Sequence, residues 1–351
     1  MIVFVAPFPA LSNEMDGFIQ RVASIDMLVE DIPRVYLEIS LRKFWKSHQH
    51  FFGQATVLQL NAFRHFFVIT YWFKKASNVY IHSIYGSLMA LPAYWLAAPI
   101  TDLHGVVPEE LKSDDKPWRA LIFNFVERIA LRRSGAVVYV TSAMKQHFQY
   151  KYGRDSDADY VISILPKVID KRGQFENVVN SKRDPKGVIY AGGLQSWQNV
   201  PLMITAAAAA SQCRFIFLTK EVAAIEKLAI TGNVTDFACF SVHPDQVPDY
   251  YLNCTYGFVL RDPVLLNQVA CPTKLVEYLH WGVIPIVLSE HVGDFASLGF
   301  EFISLENFCL EDLPEDSEIL RMRIKNKRIV ESLRSVCETE LVKLNQKLHR
   351  V

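Results

Sequence analysis

Short apolar runs alternate with helix-length segments along nearly the whole chain, and this alternation constrains the fold more than any other feature. The runs are Ile2–Ala6, Val79–Tyr85, Ala98–Asp102, Ala136–Thr141 and Tyr160–Leu165, and then Val188–Gly192, Arg214–Thr219, Asp236–Val242, Tyr256–Arg261, Val283–Leu288 and Glu301–Leu305. Continuous apolar runs of this length suit strands buried on both faces of a parallel sheet. Their alternation with helices predicts βαβ units in a doubly wound α/β architecture. A polar stretch between the two sets, from Asp170 to Gly187, carries the Gly, Pro and charge content of a linker. A chain of 351 residues is long enough for about two domains. The division expected is 1–170 and 186–314, with a charged helical segment, 315–351, packing back on the first domain.

Composition narrows the function classes. Half of the residues are apolar, which excludes disorder, and 37 basic residues balance 37 acidic ones, which excludes a histone-like polyelectrolyte binder. None of the six cysteines forms a C-x-x-C pair and none lies in the first 200 residues, against structural zinc or a disulfide framework and in favour of a reducing, cytoplasmic compartment. The N-terminus has no basic region ahead of its apolar run and reads as a buried strand. Residues 79–100 carry no formal charge, but Pro92 and polar residues interrupt them. They read as a strand over VYIHSIY, a buried helix near 86–97 and the start of a further strand, not as a membrane span. From Ile39 to Thr101 there is no Asp or Glu, while Arg42, Lys43, Lys46, Arg64, Lys74 and Lys75 interleave with aromatics. Such a stretch is either core with a solvated cationic rim or a face suited to an anionic bilayer or a lipid-phosphate acceptor. Nucleic acid is not expected as a partner.

The segment with the most chemistry is Cys271-Pro-Thr-Lys-Leu-Val-Glu-Tyr-Leu-His-Trp-Gly-Val-Ile-Pro-Ile-Val-Leu. Pro272 suits the first helical position and Gly282 the position just past the helix end. The helix start then offers the N–H groups of Thr273 and Lys274, a partial positive charge and the Lys274 cation to an anion. Glu277, one turn on, stands where it would accept hydrogen bonds from ribose hydroxyls. Together these describe a nucleoside diphosphate. The same residues would equally make an ordinary amphipathic helix with solvent-facing Lys and Glu.

This segment resembles the donor-site motif of retaining GT-B glycosyltransferases, glycosyltransferase family 4 and its relatives. Other segments fall in the order that resemblance implies: Ala6-Pro-Phe-Pro with Asp16-Gly17, Pro99 to Glu110 with His104, Glu127 to Met144, Ile164 to Asp170, and Tyr190-Ala-Gly-Gly-Leu-Gln-Ser-Trp-Gln-Asn199. The resemblance covers residues 1 to about 310. It implies two Rossmann-like domains facing across a cleft. It assigns donor contacts to Gly17, Gly193, Gln195, Trp197 and Thr273, with His104, Glu277 and Lys274 at the reacting centre. Two departures stand out. The family's first acidic residue falls on Val269, for which Asn267 or a backbone amide is the candidate substitute. The loop after Gly193 lacks the family's cations, and Arg261 is the candidate replacement.

His104 follows a strand and precedes Gly105, at the sheet edge where open α/β folds bind ligands. His243 follows the second unit's DFACFSV run and is a candidate for the nucleobase pocket. G-x-G-x-x-G, P-loop, G-x-S-x-G and H-E-x-x-H patterns are absent, and neither a metal nor a cofactor is implied. The expected activity is transfer of a sugar from a nucleoside-diphosphate sugar to a glycan or lipid-linked acceptor, with retention, in surface polysaccharide assembly. The expected place is the cytoplasm, with peripheral contact at the inner membrane. A non-catalytic subunit of the same fold, or a nucleotide-sugar epimerase, remains as an alternative.

Overall fold

The computed structural model describes residues 1–10, 17–165, 175–310 and 313–350. Asp16, the stretch 166–170 and the first part of the polar linker lie outside the described residues. The chain divides into two compact units, Met1–Ser163 with Val336–Val351, and Ile164–Ser335.

Among the described residues the first unit is built on eight strands: β1 (Ile2–Val5), β2 (Arg34–Ser40), β3 (His48–Phe52), β4 (Ala55–Asn61), β5 (Asn78–His82), β6 (Ile100–Leu103), β7 (Ala136–Tyr139) and β8 (Tyr160–Val161). Their order is β3-β4-β2-β1-β5-β6-β7-β8. All neighbours run parallel except β3, which forms an antiparallel edge on β4. The second unit has β9 (Asp184–Ala191), β10 (Arg214–Leu218), β11 (Phe237–Phe240), β12 (Cys254–Val259), β13 (Ile284–Val287) and β14 (Ile303–Ser304), all parallel in the order β11-β10-β9-β12-β13-β14. Both sheets reverse strand order beside their first strand, at β1/β5 and at β9/β12. Open α/β sheets bind ligands at the carboxyl ends of the strands at such a switch point.

β1, β7, β12 and β13 are buried along their whole length, as continuous apolar runs require. The strands β2, β3 and β4 are additional to the runs read from sequence. β2 opens on Arg34, whose guanidinium is buried against Asp26 (Nη2 to Oδ2, 2.7 Å), and Tyr36 donates to the same carboxylate at 2.6 Å. A buried ion pair replaces the apolar residue that a run-based reading looks for. Every residue of β3 is exposed, as an edge strand permits. β5 ends at His82 and not at Tyr85, because Ser83 takes φ 63 and turns the chain into the helix Ser83–Met89. Among the described residues no helix is long and apolar enough to cross a membrane. The C-terminal helix Asp316–His349 lends Ile319 and Met322 to the core of the second unit, and Leu344 and Leu348 to that of the first.

Candidate functional site

In the second unit, three segments meet beyond the carboxyl ends of β9 and β12. The first is the Gly192–Gly193 turn. Tyr190, at the end of β9, donates its hydroxyl to the Gly193 carbonyl at 2.6 Å. The second is the start of the helix Thr273–Trp281, for which Pro272 is the cap residue (φ −70, ψ 111) and not the first helical one; Gly282 closes the helix at φ 69. The third is the loop after β12, where Arg261 donates to Asn267 Oδ1 at 3.3 Å and Asn267 donates to the Asp262 carbonyl at 2.8 Å.

Two cations converge there. Lys274 is buried, with Nζ 3.8 Å from the centre of the Tyr190 ring and 3.2 Å from Gln198 Oε1. Its ammonium lies so close to Gly192 that a Cβ there would sit 2.4 Å away, so glycine is what admits it. Burial, and then the neighbouring Arg261, hold the Lys274 amine well below its usual range, with Glu277 opposing them. Burial lowers Arg261 in the same way. Among the described residues, neither cation has a carboxylate at ion-pairing distance. Like charges held close in a poorly solvated place repel, and an anion bound between them relieves that cost. Glu277 sits one turn behind, partly buried, with Oε2 accepting from Tyr251 at 2.8 Å. Burial pushes its carboxyl up, while Tyr251 and Lys274 pull the other way.

In the first unit, a cavity of about 610 Å³ opens beside the carboxyl ends of β1 and β5, with Val5, Phe18, Ser83, Met89, His104 and Glu110 on its wall. Gly86 lets the Ser83–Met89 helix pack close on β1, since a Cβ would stand 3.3 Å from the Val5 carbonyl. Behind His104 lies a buried charge network. Arg21 grips Asp102 through two hydrogen bonds of 3.0 and 3.2 Å, and Tyr80 adds a third at 2.9 Å. His82 Nδ1 and His104 Nε2 are 3.3 Å apart, each within 3.6 Å of Asp102. Burial alone would raise the Asp102 carboxyl, but Arg21 and the histidines override it and hold it well below the usual range. Burial lowers His82 to about 4, against the pull of Asp102. The ligand atoms of His82, Asp102 and His104 lie within 4.8 Å of one another. A metal ion there would face the Arg21 guanidinium across a carboxylate already filled by three donors, so the residues present do not fit one.

The remaining expected site residues fall as follows. Gly17 begins the helix Gly17–Asp26, with nothing near the place of its missing Cβ. Gln195 and Trp197 are exposed on the loop after Gly193, and a Cβ on Gly193 would meet the Gln195 amide. Thr273 is exposed at the helix start. His243 is largely exposed and caps the turn Pro244–Gln246, its Nδ1 accepting from the Asp245 amide. Val269 is buried. Tyr190, Gln198, Tyr251, His82 and Arg21 complete the two sites without having been singled out in the sequence. Tyr190 and Gln198 carried a signal, since they bracket the Ala-Gly-Gly turn and its loop; the others come from distant segments.

No protein-family model matches the chain, and no curated protein matches it. Solved structures do. Sucrose-phosphate synthase from Thermosynechococcus elongatus superposes with a TM-score of 0.68 at 11% identity, over 99% of this chain and 98% of that one. Anabaena HepE in complex with UDP and glucose gives 0.67 at 12%, over 98% and 99%. A glycosyltransferase from Rickettsia africae gives 0.65 at 15%, over 100% and 99%. At such identities the likeness shows the fold alone: this chain has the GT-B architecture of two doubly wound, Rossmann-like α/β units.

Proposed function

We propose that the protein is a glycosyltransferase that takes a sugar from a nucleoside-diphosphate sugar to a hydroxyl of a glycan or lipid-linked acceptor. The observation that carries this reading is the pair of cations, buried Lys274 and half-buried Arg261, with no carboxylate at ion-pairing distance among the described residues, at the switch point of the second unit. A pyrophosphate supplies the missing charge, and Glu277, behind Lys274, accepts from the attached ribose. The similarity to HepE, whose structure holds UDP and glucose, supports the same reading.

In the reaction, negative charge grows on the leaving diphosphate. Lys274, Arg261 and the N–H groups at the start of the Thr273–Trp281 helix face that charge in a poorly hydrated place, where fixed donors act most strongly. They supply what a divalent ion supplies in metal-dependent transferases. His104 is assigned to the sugar ring, and the first unit's cavity to the acceptor. Retention follows from the resemblance to family 4, with the leaving phosphate taking the acceptor proton. A role in surface polysaccharide assembly, at the cytoplasmic face of the inner membrane, completes the proposal.

The test is a thermal-shift panel of nucleoside-diphosphate sugars followed by donor hydrolysis. A ligand at 100 times its Kd adds about 2.7 kcal/mol to stability. The expected result is a shift with one nucleotide family and slow release of nucleoside diphosphate. The absence of both refutes the reading. Buried Val269, at the place of the family's first acidic residue, favours a second reading, a nucleotide-binding subunit without turnover. A shift with no release, even with acceptors present, would select it, and a new nucleotide sugar formed without acceptor would select an epimerase.

A further inference from the structure

Three helices of the first unit, Phe66–Lys75, Ala93–Leu96 and Pro117–Arg133, form a contiguous layer, the first in contact with the second and the second with the third. Each already covers the core with one face: Ile69 and Phe73, Ala93 and Tyr94, and Phe123, Val126 and Ala130 are buried. Their outer faces should then be polar. They are not. Phe67 is 84% exposed, Trp118 80% and Phe125 62%, and Tyr71, Trp95 and Ile122 stand out beside them. Trp118, Ile122 and Phe125 follow i, i+4, i+7 spacing, a continuous stripe along the helix. A contiguous patch of large apolar side chains, unlike isolated ones, marks a surface that something covers.

Charge says what covers it. The ionic residues exposed on these helices are Lys74, Lys75, Arg119, Arg128, Arg132 and Arg133, all cations. The one carboxylate in the three helices, Glu127, is buried and paired with Lys151 at 2.6 Å. The chain as a whole is neutral, so this is a local segregation. The cations stand beside the rings, with Lys75 Nζ 5.5 Å from Tyr71 and from Trp72 and the Arg133 guanidinium 5.3 Å from Trp95. We propose that this face docks on an anionic lipid bilayer, with its aromatic and aliphatic side chains at headgroup depth and its Lys and Arg on lipid phosphates. Tryptophan and tyrosine favour that interface, and basic residues beside them add attraction to anionic lipid. Aliphatic Leu121 and Ile122 in the middle of the stripe offer nothing for a nucleic-acid base to stack on. The expectation from sequence stopped at Thr101; the structure extends the face to Arg133 and gives it its largest apolar residues. This inference deepens the membrane placement of the proposed function but uses none of the donor-site residues, so vesicle binding can fail while nucleotide binding holds, and the reverse.

The experiment is flotation of the full chain with phosphatidylglycerol–phosphatidylcholine vesicles and with phosphatidylcholine alone, at low and at physiological salt. The native protein floats with the anionic vesicles, more weakly as salt rises. Lys74→Gln with Lys75→Gln lowers the partition about 25-fold, at about fivefold per charge. Trp118→Ser with Phe125→Ser abolishes flotation. All four side chains are exposed, and unchanged circular dichroism and thermal midpoint check that the fold persists. Absence of flotation at low salt, equal binding to both vesicle types, or undiminished flotation of the Trp118→Ser/Phe125→Ser variant overturns the proposal. So does a dimer in sedimentation velocity that those substitutions break while no vesicle binds, since a second copy would then be the occupant.

Discussion

Replacing Lys274 by methionine tests the site where binding and stability pull in opposite directions. The ammonium is buried against the Tyr190 ring at 3.8 Å and, among the described residues, donates to Gln198 at 3.2 Å with Glu277 more distant. A lysine placed to stabilise the fold would have a close carboxylate. Methionine keeps most of the volume and removes the charge, so the fold should hold its stability or gain up to about 2 kcal/mol. Affinity for a nucleoside diphosphate should fall by the worth of a charge-assisted hydrogen bond, about 1.5–3 kcal/mol, or roughly ten- to a hundredfold. Protons give a second readout. The folded amine lies below its ordinary 10.5, so the unfolded chain binds more protons in between. Native stability therefore rises with pH up to about 10.5, and the substitution removes that part of the slope. A bound diphosphate raises the amine again, so binding takes up a proton at those pH values where the free amine has begun to lose its own. Calorimetry in buffers of different ionisation enthalpy measures this, and urea unfolding of both proteins measures the rest. Undiminished nucleotide affinity in Lys274→Met, or a loss of several kcal/mol in stability, would refute the assignment and make Lys274 a structural residue.

Three further outcomes follow from the geometry. Glu277→Gln should weaken nucleoside-diphosphate binding about tenfold and erase the preference for ribose over 2′-deoxyribose, measured by competition; a retained preference would place the ribose elsewhere. His82 is buried at a pKa of about 4 against 6.5 in the unfolded chain, so the unfolded chain binds the extra proton. The native protein should lose about 3 kcal/mol as pH falls from 6.5 to 4. His82→Asn should flatten that loss in urea midpoints; parallel curves for the two proteins would show that the ring is solvated. Gly257→Ala would place a Cβ 2.4 Å from the Tyr278 ring, which its hydroxyl pins to the Ile189 carbonyl at 3.0 Å. A cost of about 2–3 kcal/mol is expected, and an unchanged denaturation midpoint would mean that the ring has room to move.

Much of the architecture was legible because burial on both faces of a parallel sheet leaves an uninterrupted apolar run. β1, β7, β12 and β13 are such runs, and each is wholly buried. β2 and β4 escaped notice because an ion pair at Arg34 and alternating polar residues such as Gln59 break the pattern, and β3 because an edge strand need bury nothing. The helix at Thr273 and its glycine stop were legible from local chemistry alone; only the role of Pro272 shifted, from first helical residue to cap.

The sequence by itself determined the class of fold and the start and stop of the helix Thr273–Trp281, because spacing along one segment encodes which side chains share a face. Tertiary structure alone decided that Lys274 and Arg261 close on Tyr190, that Tyr251 holds Glu277, and that His82, Asp102 and His104 meet over Arg21. It also decided that Trp118 and Phe125 face outward although their helix carries large apolar residues on two faces. The physical reason is common to these cases. Strand order brings distant segments to one sheet edge, and the packing of neighbouring helices chooses which of two apolar faces is buried.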